Sequence, residues 1–307
     1  MERSGGPPGE RGAGPSGQLS GCGAEKLSEN PGLVCIFDLQ YNQNMGKLKV
    51  RRYDLKSRKC GPQGNHLRFV FISDLHNGVY GPDNRGLMEL VRSQEPDAVL
   101  IGGDQIVAKP GYPLEPGLMS VKMLAEEFPV YYACGNHEYR LKLYPEVYGD
   151  AYDRLREGLA KTKAVYLENQ TASFRKNGLR VLIYGFEMKK EYYERFSRRE
   201  LPVTELTDVF GTPPEDALSV LLAHHPGYAD TYERFGADIT LSGHYHGGVV
   251  GFGTRGLVSP DFRLFPKNCH GCFEKNGTYR IISAGCGEHT VPFRIHNPRE
   301  LVVLDVT

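Results

Sequence analysis

Seven side chains able to bind a metal cation fall in five short motifs. They are Asp74 and His76 in Asp74-Leu75-His76, Asp104 in Gly103-Asp104, and Asn136 in Gly135-Asn136-His137-Glu138. His224 in His224-His225-Pro226 follows, then His244 and His246 in Gly243-His244-Tyr245-His246. Singly, each has an ordinary reading: an Asp or Asn after a strand is commonly a turn residue or helix cap, and a lone His a hydrogen-bonded structural group. The joint pattern is less ordinary, because six of the ten histidines lie in four of these motifs. Carboxylates and an amide oxygen are hard ligands and imidazoles borderline ones, a mixture suited to Mn, Fe, Co or Zn. Two cations held ~3.5–4 Å apart need a bridging anion between them. Asp104, in the middle motif, is the candidate bridge. No thiolate belongs to the set, which argues against a closed structural zinc site.

The elements that must position these groups are legible as apolar runs. Arg68 to Ile72 stops at Ser73-Asp74, Asp97 to Ile101 stops at Gly102-Gly103-Asp104, and Val130 to Cys134 stops at Gly135-Asn136. Helix-compatible stretches at 84–94 and 116–127 separate them, a βαβ rhythm of about thirty residues that implies a largely parallel sheet. Ser219 to Ala223 and Asp238 to Leu241 end in the same way, at His224 and at Ser242-Gly243-His244. In open α/β sheets, sites form outside the carboxyl ends of strands, and five such ends can converge on one site. Tyr279 to Ser283 and Leu301 to Val306 have no helix between them and read as a second, mixed or antiparallel sheet.

The chain has 307 residues, with 37 Lys+Arg against 37 Asp+Glu. Hydrophobic residues make up 40% and charged residues 24%, usage that excludes wholesale disorder. A neutral balance gives no broad electrostatic footprint for nucleic acid. No run reaches the ~18 apolar residues of a spanning helix, and the first thirty lack a signal-peptide core. The expectation is a cytoplasmic protein without a transmembrane segment, peripheral membrane association remaining open, as does the oligomeric state. Residues 1–44 are expected to be a Gly/Pro-rich disordered tail or a start-site artefact, and 45–307 the folded domain, opening on a strand at Leu48, Val50, Tyr53 and Leu55. Seven cysteines do not read as a disulfide framework. Cys269 and Cys272 form a single CxxC that would need two further ligands to hold zinc.

The five motifs, in this order, resemble the calcineurin-like metallophosphoesterase superfamily from about Phe69 to the C-terminus. Ser73-Asp74-Leu75-His76-Asn77, Gly243-His244-Tyr245-His246-Gly247-Gly248, Pro292-Phe293-Arg294 and Pro298-Arg299-Glu300 also look like its bacterial YkuE/YaeI-type branch. The resemblance implies an α/β fold of the metallo-dependent phosphatase type: an αββα sandwich of two mixed β-sheets flanked by helices, with the metal site at the strand C-terminal ends. It implies one metal held by Asp74, His76, Asp104 and His246, and a second by Asp104, Asn136, His224 and His244. The cofactors are then two divalent or mixed-valence transition metals, Mn, Zn, Fe or Co. His224 rather than His225 matches the family ligand, because it precedes x-Pro; His225 falls to the rim, where it could touch substrate. Two departures stand out: Val107 where many relatives carry an Asp, a type of loss that can cost ~10–100-fold in metal affinity or activity, and Val249 where they often carry Gln.

The implied reaction is hydrolysis of a phosphomonoester or phosphodiester in a small phosphorylated substrate, by in-line attack of a hydroxide bridging the two metals. Asp104, Asn136 and His137 would be catalytic, Asn136 and His137 as phosphate neighbours, and His137 protonating the leaving alkoxide or stabilising its charge. The alternatives are a pyrophosphatase on a lipid- or sugar-nucleotide, a nuclease, or a non-catalytic scaffold. A scaffold should have lost ligands, and all seven positions are filled. Elsewhere, Lys189 to Glu200 reads as a solvated helix face whose Tyr192 and Tyr193 could form a lid. Residues 249–277, with Arg255, Arg263 and Lys267, read as a substrate-shaping insertion. Cys134 reads as a core residue and Gly285 to His289 as an ordinary loop.

Overall fold

A computed structural model describes residues 48–61, 65–194, 199–248, 251, 252, 255, 256, 269–288, 294 and 296–307. The expected tail 1–44 lies outside them, as do Val249, Arg263, Lys267 and His289. For Arg255 only the backbone is described.

The strands are β1 (Lys49–Leu55), β2 (Leu67–Ile72), β3 (Ala98–Ile101), β4 (Val130–Ala133), β5 (Val165–Leu167), β6 (Gln170–Lys176) and β7 (Leu179–Phe186). They continue as β8 (Ala217–Ala223), β9 (Ile239–Ser242), β10 (Gly251–Phe252), β11 (Arg255–Gly256), β12 (Gly271–Lys275), β13 (Thr278–Ile282) and β14 (Glu300–Val306). The helices are α1 (Arg85–Arg92), α2 (Glu115–Glu127), α3 (Asn136–Leu143), α4 (Pro145–Tyr148), α5 (Ala151–Ala160), α6 (Thr204–Phe210) and α7 (Ala229–Phe235). Two six-stranded sheets result, in the orders β1-β14-β2-β3-β4-β5 and β12-β13-β9-β8-β7-β6. Both are mixed: β14 runs antiparallel to β2 in the first, and β12 and β6 run antiparallel to β13 and β7 in the second.

Alternation along each strand explains the layers. On β2, Phe69 and Phe71 face β8 and β9 residues such as Val220, Leu222 and Leu241, forming the core between the sheets. Val70 and Ile72 face the other way, onto Leu87 and Val91 of α1, Val121 and Leu124 of α2, and Leu155 of α5. On the second sheet Tyr184 and Leu221 face outward, onto Leu206 of α6 and Phe235 of α7. Burial on both faces is why these strands read as continuous apolar runs. The architecture is the αββα sandwich that the family resemblance implied.

The strand pattern needs two corrections. The five motif-bearing strands do not share one sheet: β2, β3 and β4 lie in the first, and β8 and β9 in the second. Nor do the two C-terminal strands form a sheet of their own, since β13 pairs with β9 while β14 enters the first sheet between β1 and β2. The β6–β7 and β12–β13 hairpins were not anticipated, although each has an Asn-Gly turn. Asn177 and Gly178 hold φ of 50° and 83°, and Asn276 and Gly277 54° and 77°, the doubly positive pattern of a tight hairpin turn.

Candidate metal centre

The ends of β2, β3 and β4 meet those of β8 and β9 across the sandwich, and the seven candidate ligands leave these ends. Asp74 and His224 are fully enclosed, and Asp104, His76 and His246 nearly so. His246 Nε2 lies 3.2 Å from Asp74 Oδ1 and 3.2 Å from His76 Nε2, while His76 Nε2 lies 3.9 Å from Asp104 Oδ2. His224 Nε2 lies 3.1 Å from Asp104 Oδ2 and 3.8 Å from Asp74 Oδ1. Three close ligand groups result: Asp74–His76–His246, Asp104–His224–His244 and His76–Asp104–His137. The first falls within one of the expected ligand sets and the second within the other, with Asp104 between them.

Close approach needs particular backbone. Asp74, His76, Asp104, His244 and His246 all hold φ between 48° and 67°. A Cβ on Gly243 would lie 1.9 Å from Ser73 Oγ and 2.1 Å from Asp74 Oδ2, so glycine is required for the β9 end to reach the β2 end. Once there, the His244 N–H donates to both Asp74 oxygens at 3.0 and 3.1 Å, and Ser73 Oγ donates to Oδ2 at 2.5 Å.

The electrostatics show a deficit of positive charge. Burial works against both carboxylates, but His246 and His224 outweigh it at Asp74, and His224 and His137 at Asp104; both are held below the usual carboxylate range. Burial likewise opposes charge on His224, yet Asp104 and Asp74 push its imidazole up to about 10. Burial, reinforced by neighbouring His137 for one and His225 for the other, holds His76 and His244 well below the usual histidine value. The His224 geometry gives the reason. Its Nδ1 is 2.7 Å from Gly102 O and donates there, which leaves Nε2 facing Asp104 with a proton or, in its place, a metal cation between them. Among the described residues, His224 Nε2 and Asn136 Oδ1 are buried with no hydrogen-bond partner of good geometry. Buried polar atoms left unsatisfied beside two carboxylates call for a further group in the site, and the donor set fits divalent transition metals.

His137 is arranged differently. The Ala108 N–H donates to its Nδ1 at 2.9 Å, which leaves the ring proton on Nε2. Burial, against the pull of Asp104, pushes this ring down to about 4. Its backbone N–H donates to Asp104 Oδ1 at 2.8 Å. His225 is buried at the rim, accepting from the Gly227 N–H at 3.0 Å, its ring 4.7 Å from that of His244.

Glu138, beside His137 in its motif, holds the site together from behind. Fully buried, it accepts the N–H groups of Asp104, Gln105 and Gly135 at 2.9 Å each, and the Tyr132 hydroxyl at 2.7 Å. The loop carrying Val107 is thereby pinned from the β4 side. Its signal was an acid immediately after a candidate site residue, at the start of a helix.

Other expectations resolve briefly. Lys189 to Glu200 is not a long helix; its described part has one turn of 3-10 helix at Lys190–Tyr192, and residues 195–198 lie outside the described set. Tyr192 packs into the outer core of the second sheet, whereas the Tyr193 ring stands 5.5 Å from His244 and 5.6 Å from His225. Cys286 and Gly287 back the site, donating their N–H groups to Ser73 O and Asp74 O. Among the described residues, neither Cys269 nor Cys272 joins a close group of three metal-capable side chains. Cys134 is buried at the end of β4. No helix of the described residues is long and apolar enough to cross a membrane.

Comparison with known proteins adds three findings. A family model described as calcineurin-like phosphoesterase matches residues 67–248. The protein YpbG of Bacillus subtilis (strain 168) is 29% identical over 253 residues, 81% of this chain and 83% of its own. The uncharacterized metallophosphoesterase Cj0846 of Campylobacter jejuni is 28% identical over 245 residues, 78% of this chain but 59% of its own length.

Proposed function

The chain belongs to the calcineurin-like phosphoesterase family and is a metal-dependent phosphoesterase; from that premise we propose that it hydrolyses a phosphomonoester or phosphodiester at a dinuclear centre. Asp74, His76, Asp104 and His246 would hold one cation, and Asp104, Asn136, His224 and His244 the other. When bound, such a pair supplies an activated water near neutral pH and positive charge against the phosphoryl oxygens. The observation that carries this reading is the buried convergence of Asp74, His76 and His246 on one side and Asp104, His224 and His244 on the other, with His224 Nε2 3.1 Å from the Asp104 carboxylate. Two buried carboxylates ringed by imidazoles are the donor set of such a centre.

The remaining chemistry belongs to the chain's own groups. Asn136 and His137, at the start of α3, stand beside the phosphate. With Nδ1 occupied by Ala108, His137 offers an Nε2–H that stabilises charge on the departing oxygen by hydrogen bonding. A ring held near 4 is neutral at pH 7, so it acts as donor and not as imidazolium. Assignment to the YkuE/YaeI-type branch, and a cytoplasmic location, belong to the same proposal.

The test is metal add-back. Protein stripped of metal is reloaded separately with Mn, Zn, Fe, Co and Mg and assayed on an aryl monoester, an aryl diester and a pyrophosphate-linked nucleotide. Turnover of the monoester or diester supports the proposal. Activity confined to the pyrophosphate would move the reading to a pyrophosphatase, and two bound metals without activity on any ester would leave a scaffold.

A further inference from the structure

A cavity of about 260 Å³ opens beside Asn136, between α3 and the segment after β7. Resting on the phosphoesterase reading above, we propose that this cavity is the subsite for the group esterified to the phosphate, and that this group is a flat aromatic ring system.

Helical periodicity builds one wall. Asn136, Tyr139, Arg140 and Leu143 stand at i, i+3, i+4 and i+7 of α3, a single face that starts at a candidate metal ligand and leads away from it. Seven steps of about 1.5 Å rise make that face about 10 Å long, room for one or two fused rings linked to a phosphate. The opposite wall is Lys190 and Tyr193, and the Tyr193 ring is the one that touches the site histidines. Tyr144 closes the outer end, with Lys190 Nζ 5.1 Å from its ring centre.

The lining selects the occupant. Tyr139, Tyr144 and Tyr193 offer aromatic surface on which a planar ring stacks. Arg140 and Lys190 outnumber the single carboxylate at the mouth, Glu194, so an occupant bearing acceptor atoms is favoured over a plain hydrocarbon. Leu143, 36% exposed, extends the apolar surface at the outer end. A nucleoside and a simple arylalkyl group share this chemistry.

The experiment uses adenosine 5′-monophosphate, benzyl phosphate and n-propyl phosphate. All three are esters of similarly basic alcohols, so differences between them report binding and not leaving-group reactivity. Kinetics are measured on the metal-loaded full chain, and calorimetric binding of the same esters on the metal-free chain. The expected result is a preference of at least tenfold in kcat/KM for a ring-bearing ester over n-propyl phosphate. Tyr144→Ala should shrink that preference about fivefold to tenfold, mainly through KM, and Tyr144→Phe should keep it. A better adenosine ester identifies a nucleoside, a better benzyl ester a single ring. Equal efficiency for all three, or a preference unmoved by both Tyr144→Ala and Tyr139→Ala, overturns the inference. Were none of these monoesters hydrolysed with any metal, and the aryl diester of the add-back assay likewise untouched, the phosphoesterase reading would fall. Calorimetry would then decide the subsite alone, tighter binding of ring-bearing esters sustaining it and equal binding removing it.

Discussion

Backbone conformation at the candidate ligands carries a cost of its own. A non-glycine residue in the left-handed region is uncommon, and strained positions cost about 1–3 kcal/mol each when the surroundings enforce them. Asp74, His76, Asp104, His244 and His246 share that region. Removing the His76 imidazole therefore has two separable effects. His76→Ala and His76→Gly should both lose metal, but the glycine variant should be the more stable by about 1 kcal/mol in urea unfolding, because glycine occupies this φ freely. Equal stabilities would argue against strain. At His137 the deletion should be kinetic: His137→Ala should lower kcat by about 10²-fold or more with metal content by elemental analysis unchanged. Loss of metal instead would make His137 a ligand. Asp, Asn and His just past apolar runs were legible as a site from their types. The direction of each ring was not, since it depends on which nitrogen meets a carbonyl or amide, as Gly102 O does for His224 and Ala108 N–H for His137.

Between elements, Glu138 ties the end of β3 to the start of α3. Glu138→Gln keeps the shape but turns a donor toward amide donors, leaving at least one buried N–H without an acceptor. Each such group costs about 1–3 kcal/mol, so the variant should lose about 2–4 kcal/mol in urea unfolding and bind metal more weakly by calorimetric titration. Wild-type stability and affinity would show that the loop is held by something else. Strands were legible as runs such as Phe69–Ile72 and Val220–Ala223, but their sheet was not. Runs buried on both faces look alike whichever sheet takes them, which is how β14 could be read as the neighbour of β13. The Asn-Gly turns after Lys176 and Lys275 did carry a hairpin signal in sequence. Those turns join strands that carry none of the seven candidate ligands.

Across the whole molecule, the first sheet depends on its last strand. Asp305 on β14 accepts from Arg68 Nε on β2 at 2.6 Å and from His66 at 2.9 Å, and lies 3.5 Å from Arg52 Nη1 on β1. Burial alone would raise its carboxyl, but the Arg68 and His66 hydrogen bonds outweigh that and hold it below the usual aspartate value. A lowered folded pKa means stability that is present above the unfolded value, near 3.9, and lost as pH falls through the folded one. Asp305→Asn should therefore be less stable at pH 7 by about 1 kcal/mol, the scale of a partly exposed ion pair. That gap should close as urea melts are taken from pH 5 toward pH 2. A gap constant with pH would mean that the carboxylate charge contributes nothing.

The position of β14 also bears on how the protein is made. Among the described residues β1 pairs with β14 alone, and the Arg51–Glu300 ion pair joins residues 249 apart in the chain. A nascent polypeptide emerging from the ribosome exposes β1 long before the strand that will cover it has been translated. Until β14 has emerged, the sandwich stands open along the β1–β2 gap, with unpaired strand edges that invite wrong partners. Synthesis thus leaves an interval in which the backbone edges of β1 and β2 face solvent, and pairing across 249 residues closes it.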